Sequence, residues 1–221
     1  MEITTIFVIK NRPQDKTMNC IESLYKQNTK IILVDYGSNE ENISWERICA
    51  SKYNFNLIEV KNNVEVFNKS RALNIGIRYA ETNYIMCGDI DNIYMSNFIE
   101  EIEKVLSPKK LITCRRFNTN INGKKIKPSI RAYGGCLVVQ KDFLVKIHGF
   151  DEKFTMWGGE DDDLIERTNK SGIDTLEIPA KSTSCVHQWH KPAIKETLQW
   201  NRQYAKLKKP IIRNKNEWGK L

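Results

Sequence analysis

Residues 84–92, Tyr84-Ile85-Met86-Cys87-Gly88-Asp89-Ile90-Asp91-Asn92, decide the fold. A short apolar run of strand character meets a glycine, and two aspartates separated by one residue follow. In open α/β sheets, ligands bind beyond the carboxyl ends of the strands. An Asp-x-Asp pair directly after a strand therefore reads as part of a site. Two carboxylates at this spacing can both reach a hard divalent cation bound with a diphosphate. Such pairs recur by chance, so the position after an apolar strand and a glycine carries the reading.

The residues upstream supply the rest of such a sheet. Apolar runs at 3–9, 30–35, 56–60 and 84–87 predict strands, and amphipathic runs at 14–27, 41–52 and 69–80 predict helices between them. Strands alternating with helices of about 10–15 residues predict a parallel sheet covered on both faces. Downstream the pattern is less regular. Helices are predicted at 98–106, 141–148 and 161–170, and strands at 111–117, 136–140, 174–178 and 183–187. Asn122-Gly123 signals a hairpin turn between two of them. The fold class is α/β, with a half at 1–92 and a smaller mixed half at 93–190 in one domain, 1–190. A tail, 191–221, follows.

At 221 residues the chain can bury a full core. No signal peptide is read at the start, because the run at 3–9 is too short and wrongly flanked. No apolar run approaches the roughly 20 residues needed to span a bilayer. None of the six cysteines is paired at a close metal-ligand spacing, so they read as reduced and buried, in a cytoplasmic protein. The net charge is +8, and the last 31 positions hold nine Lys or Arg against two Glu. The basic character thus belongs to the tail.

Other strand ends carry polar residues. The first predicted strand runs into Asn11-Arg12. The second ends at Asp35-Tyr36-Gly37-Ser38, where an Asp can accept hydrogen bonds from a base or ribose; the same residues also make a common turn. His187 and His190 follow a predicted strand, and an imidazole there could complete a coordination sphere begun by Asp91. His148, beside the helix-stopping Gly149, reads as structural.

The second acidic cluster is Trp157-Gly158-Gly159-Glu160-Asp161-Asp162-Asp163. Acidic residues suit a helix N-terminus, where the macrodipole favours negative charge. That accounts for one or two carboxylates, not four. The glycines admit close approach of another molecule to the backbone, and the tryptophan offers a broad apolar face with one N–H donor. Together they describe a site that holds a polyhydroxylated ring and removes a proton from it.

The segment 133–164 resembles the acceptor-side signature of the β-1,4-galactosyltransferases and the related bacterial chondroitin polymerase-type enzymes. The resemblance lies in Tyr133-Gly134-Gly135, Phe143, Gly149-Phe150 and the Trp157 to Asp163 run. Asp35, Asn74-x-Gly76 and Asp89-Ile90-Asp91 match the donor half of the same GT-A glycosyltransferase fold, over about residues 3–190. The resemblance implies an inverting transferase using a UDP-sugar and a divalent cation, Mn²⁺ or else Mg²⁺. It implies Asp91, with His187 or His190, as metal ligands and Asp161 as the general base. Glu160 and Asp162 would orient acceptor hydroxyls, with Trp157, Gly158 and Gly159 on the acceptor side. Asn11, Arg12, Asp35, Asn74, Asp89, Ala132 and Gly135 would face the donor. Galactose-specific relatives carry a tyrosine where this chain has Ala132, which implies room for an N-acetyl group.

The acceptor is expected to be a glycan or a lipid-linked saccharide. A helix is predicted at 193–207, and the tail reads either as packed on the domain or as a basic patch for an anionic membrane surface. That second reading would put the protein at the inner face of the membrane. Basic residues interleaved with Trp200, Tyr204 and Trp218 leave rival readings: glycosylation of nucleic acid, or an inactive sugar- or nucleic-acid-binding protein.

Overall fold

Ile3–Ile9, buried along its whole length, forms the central strand β1. Its two threonines are satisfied in the core, Thr4 by the Thr82 hydroxyl at 2.8 Å and Thr5 by Thr29 at 2.9 Å. The computed structural model describes residues 2–60, 66–128, 135–190, 196–207 and 209–221; for 127, 128 and 196–198 only the backbone is described. The Ala132, Tyr133 and Gly134 positions lie outside the described residues, as does the predicted helix start at 193–195.

The first half follows the predicted alternation closely: α1 (Gln14–Leu24), β2 (Thr29–Asp35), α2 (Glu40–Tyr53), β3 (Asn56–Glu59), α3 (Lys69–Tyr79) and β4 (Tyr84–Cys87). Asn39 and Asn68 cap α2 and α3, each side chain accepting a backbone N–H in the first turn. β1, β2, β3 and β4 pair in parallel. α3 lies close on β1 because residue 76 is glycine; a Cβ there would stand 2.5 Å from Ile6 Cγ2.

The second half comprises β5 (Asn92–Tyr94), α4 (Phe98–Glu103), β6 (Lys110–Thr119), β7 (Lys125–Pro128), β8 (Leu137–Gln140), α5 (Lys141–Lys146), α6 (Glu160–Lys170), β9 (Asp174–Ile178), β10 (Ser184–His187) and α7 (Glu196–Ala205). The mixed sheet runs β3-β2-β1-β4-β8-β6-β10-β5, with β7 and β9 also on β6. One buried cluster, with Phe7, Ile21, Leu33 and Phe98, fills one face. The other, with Ile6, Leu73, Phe150, Leu164 and Trp218, fills the opposite face. The six cysteines are free and buried.

Two differences from the sequence reading matter, and one of its two readings of the tail is decided. The strand β5 was not expected, and it pairs antiparallel with β10, setting His187 opposite Asn92. Helix α5 stops at Lys146 because His148 and Gly149 turn into the left-handed region, at φ 57° and 66°. The tail is not a free basic segment. Trp218 is buried and stacks on His148 at 6.1 Å, while Arg213 and Lys209 pair with Asp163 at 2.9 and 3.3 Å. Those two cations are turned into the domain and are not available to a membrane. Among the described residues, no helix is long and apolar enough to cross a bilayer.

Candidate active site

The loop from β4 to β5 carries both aspartates of the Asp-x-Asp pair. The β5–β10 pairing, continued by the bond from Gln188 N–H to Asp91 O at 2.9 Å, brings the end of β10 beside them. His187 Nε2 lies 3.5 Å from Asp91 Oδ1, and His190 Nε2 lies 3.0 Å from Asp91 Oδ2. One ligating atom from each of the three residues lies within 4.8 Å of the others. Burial alone would raise the Asp91 carboxyl. Hydrogen bonds from His187 and His190, with the charges of His187 and Arg12, outweigh it and hold the group well below the usual carboxylate range. Asp91 Oδ1 is buried, and among the described residues its neighbour is His187 Nε2, at the 3.5 Å limit of a hydrogen bond. Arg12 and Lys16 line a small pocket together with Asp91 and His190.

The other aspartate, Asp89, faces a different set of charges. Lys69 Nζ lies 2.8 Å from its Oδ1, and Arg116 Nη1 lies 3.3 Å from its Oδ2. The same lysine reaches Glu160 Oε1 at 3.1 Å and Asp161 Oδ2 at 3.8 Å. Lys69 thus gathers Asp89 of the β4–β5 loop and the carboxylates of Glu160 and Asp161 at the start of α6 around one ammonium. Its own burial disfavours the charge, but Asp161, Asp89 and Glu160 reverse that and raise its proton affinity well above the ordinary value. Sequence reasoning missed Lys69. The signal was a lysine in the first turn of a helix that has no acid there, a position the macrodipole disfavours.

The Trp157 loop reaches this point by an unusual backbone path. Met156, Gly158 and Gly159 all have positive φ, at 59°, 99° and 97°. A Cβ on Gly159 would also stand 2.9 Å from the Phe154 ring. Met156 N–H donates to Phe67 O at 2.8 Å, fixing the loop against the start of α3. Glu160 is buried and accepts from Gly158 N–H at 2.9 Å while paired to Lys69. Asp161 is partly buried beside it; burial first, then Glu160, Asp89 and Asp162, raise its carboxyl to about 7 against the pull of Lys69. Neighbouring acids contribute to that rise, but burial is the larger cause. Asp162 and Trp157 are exposed, Trp157 at 57%. Asp163, the fourth acid, points into the domain toward Arg167, at 2.8 Å, and Arg213.

The remaining expected residues divide into two groups. Asn11 and Arg12 lie at the end of β1, where Asn11 N–H donates to Ser38 Oγ at 2.9 Å. Gly135 packs under the Asp-x-Asp loop and its carbonyl accepts the Tyr94 hydroxyl at 2.9 Å. Asn74 is not brought to the cleft. It is fully buried, and its amide bonds to Phe150 N–H, Phe150 O and Glu152, tying α3 to the turn after α5. Asp35 is also turned inward, with Oδ1 accepting the N–H groups of Gly37 and Ser38 at 3.0 Å each.

Helix α7 lies within the helix expected at 193–207, but the part its residues play was not anticipated. Asn201 of α7 is buried and its Nδ2 donates to Thr155 O at 2.9 Å and Trp157 O at 3.0 Å. Tyr204 hydroxyl donates to Asp151 at 2.8 Å. The tail therefore braces the loop that carries Trp157.

Comparison with known proteins bears on the family and the fold. The family model described as "Glycosyltransferase like family 2" matches residues 6–130, and that described as "N-terminal domain of galactosyltransferase" matches 115–191. The chain is 23% identical over 158 residues to β-1,4-galactosyltransferase 3 of Cricetulus griseus, covering 69% of this chain and 37% of that protein. It thus spans well under half the length of that relative. The structure is similar to GalNAc-T7 solved with UDP, GalNAc and Mn²⁺, with a TM-score of 0.68 at 14% identity, covering 86% of this chain and 44% of that one. It is also similar to the mannosyltransferase PcManGT of Pyrobaculum calidifontis solved with GDP-Man and Mn²⁺, with a TM-score of 0.67 at 16% identity, covering 84% and 56%. The fold is GT-A.

Proposed function

Because the chain belongs to the glycosyltransferase-like family 2, we propose that it is a metal-dependent, inverting glycosyltransferase. It moves a hexose or N-acetylhexosamine from a UDP-sugar to a hydroxyl of an acceptor glycan or glycolipid. The observation that carries the reading is the shared ammonium of Lys69, which holds Asp89 and Asp161 at one seam between the two halves.

The metal reading rests on Asp91, His187 and His190. One carboxylate and two imidazoles can hold a divalent transition-metal ion, with the carboxylate oxygen the donor that suits Mn²⁺, and among the described residues the buried Oδ1 of Asp91 has only the distant His187 Nε2, at 3.5 Å, to compete for it. A divalent cation held there supplies positive charge at the diphosphate. Arg12 and Lys16, on the same pocket, add positive charge toward the same phosphates.

Asp161 takes the proton from the attacking acceptor hydroxyl. A carboxyl raised to about 7 is matched to that task near neutral pH. One displacement, with the base on the acceptor side and the diphosphate leaving opposite, inverts the anomeric centre. Glu160 is locked by Lys69 and the Gly158 N–H, so its part is to hold the turn and orient Asp161. Exposed Trp157 offers a face on which an acceptor sugar stacks, and Asp162, also exposed, is left to orient an acceptor hydroxyl.

A panel of UDP-sugars, with and without Mn²⁺, tests this without knowledge of the acceptor. Slow, metal-dependent release of UDP from one donor is expected, and its loss in Asp161→Asn while UDP still binds. Including UDP-Gal and UDP-GalNAc tests the room expected beside Ala132. Release of no nucleotide from any donor, or release indifferent to the metal, would sink the reading.

A further inference from the structure

Asp35 and Glu46 form a buried pair that the mechanism does not use. Glu46 lies on the inner side of α2 and is 1% exposed; Asp35 at the end of β2 is 3% exposed. The two carboxyls lie within hydrogen-bonding reach of each other. Both oxygens of Glu46 and Oδ2 of Asp35 are buried and, among the described residues, accept no hydrogen bond from any other group. Two ionised carboxylates in this contact would each lose hydration and repel the other. A single proton between them removes both penalties and forms a charge-assisted O–H···O hydrogen bond.

We propose that Asp35 and Glu46 share one proton, and that this acid–carboxylate pair positions the turn that receives the donor nucleoside. The positioning half of the proposal rests on the transferase reading above. Asp35 Oδ1 holds the N–H groups of Gly37 and Ser38, Ser38 Oγ accepts from Asn11 N–H, and Asn11 Oδ1 accepts from Asn39 N–H at 2.8 Å. This knot joins the carboxyl ends of β1 and β2, the place where α/β sheets bind nucleotides. Glu46 donates its proton to Asp35 Oδ2 and so leaves Oδ1 to the turn.

The surrounding charges agree with a neutral Glu46. Burial first, then Asp35 of β2 and Glu59 of β3, push it up to about 9. The Arg47 guanidinium of α2 is committed to Glu59 at 2.7 Å and Glu40 at 3.2 Å. On the same helix Cys49 is buried, and Lys52 lies over the Tyr53 ring.

The test compares wild type with Glu46→Gln, which keeps a donor toward Asp35 but cannot ionise. Two quantities are read: the melting temperature from about pH 5 to 10, and UDP affinity with Mg²⁺ by calorimetry. The folded state holds one more proton than the unfolded chain between the ordinary glutamate range and about pH 9, so wild type loses melting temperature relative to Glu46→Gln as pH rises through that window, then runs parallel. UDP affinity of wild type is expected to fall roughly 10-fold between about pH 7 and 10, with no matching fall in Glu46→Gln. Melting curves parallel throughout would overturn the shared proton. A melting difference with identical affinity profiles would leave the pair structural and overturn its positioning role. Absence of UDP binding in both proteins would remove the donor site, and the positioning role with it, while the melting curves still decide the proton.

Discussion

Lys69 and Asp161 form an ion pair, Nζ to Oδ2 3.8 Å, that joins the first turn of α3 to the first turn of α6. Both groups are placed against their usual preference. A cation at a helix N-terminus opposes the macrodipole, and a partly buried carboxylate loses hydration. Each is tolerated because the other is there, with Asp89 and Glu160 completing the charge balance at 2.8 and 3.1 Å. The pair therefore couples the protonation of Asp161, the proposed base, to a residue of α3.

The first prediction is a pH profile. Asp161 acts ionised, and its carboxyl is raised to about 7, so transfer at saturating donor rises with pH through about 7 and levels above it. Asp161→Asn is expected to lower the plateau by about 10²–10⁴-fold, with UDP affinity retained. A flat profile from pH 5.5 to 8.5 would remove Asp161 as the base.

Replacing the lysine should move that profile. Lys69 favours the ionised form of Asp161, whereas Asp89, Asp162 and Glu160 oppose it. In Lys69→Met the acid limb therefore shifts to higher pH, and transfer at neutral pH falls further than the plateau does. Lys69→Arg keeps the charge and is expected to restore the midpoint more than the rate. A midpoint unmoved in Lys69→Met would show that the ammonium does not act on the base.

Metal binding gives a prediction independent of transfer. Asp91→Ala, His187→Ala and His190→Ala each remove one of three candidate ligands. Titration of Mn²⁺ in the presence of UDP, followed by electron paramagnetic resonance, should show weakened binding in all three, most in Asp91→Ala because it removes the only charged ligand. Chelation should abolish donor hydrolysis, and Mn²⁺ should restore it. Wild-type affinity in the Asp91→Ala protein would place the metal elsewhere.

Much of this site was legible because its residues follow strong local patterns. The four parallel strands were visible as short apolar runs, and Asp89, Asp91, Asn11 and Asp35 were found at their carboxyl ends. The metal cluster could be named but not ordered. Its geometry depends on β5, three residues long, whose pairing with β10 no periodicity announces. Asn74 and Asp35 were read as facing ligand because polarity at a motif position says nothing about direction; both point into the protein. The tail's two readings, packed on the domain or a basic patch, could not be decided from sequence because its partners, Asp151 and Asp163, lie far from it along the chain. Lys69 and Asn201 were missed for the same reason.

Asn201 offers a test of the tail's part in acceptor binding. It makes two hydrogen bonds to the loop before and at Trp157, of about 1 kcal/mol each in net stabilisation. Asn201→Ala should release that loop and raise the acceptor KM by roughly 10-fold, leaving UDP affinity and donor hydrolysis close to wild type. Trp157→Ala should raise the acceptor KM in the same direction by removing the ring itself. A change confined to donor binding would mean that the brace serves the other half of the cleft.

The final prediction concerns stability. Arg213 lies buried between Asp163, at 2.9 Å, and Asp151, at 3.3 Å. Removing one partner from a buried ion pair leaves an uncompensated charge, so Arg213→Ala should cost about 3 kcal/mol in urea unfolding. Burial would raise the Asp163 carboxyl, but Arg167, Arg213 and Lys209 hold it below its ordinary range. The stability it contributes is thus full above the unfolded-chain value of about 3.9 and is lost as pH falls through the depressed folded value. In Arg213→Ala the folded value rises toward the ordinary one, so less stability is lost on acidification; the loss still begins near the unfolded-chain value but is complete at a higher pH. Lys206→Ala, on the exposed side of the same tail, is the control and should change stability by less than about 0.5 kcal/mol. Equal effects of the two substitutions would mean that the tail's charge acts collectively and not through the Asp163 contact.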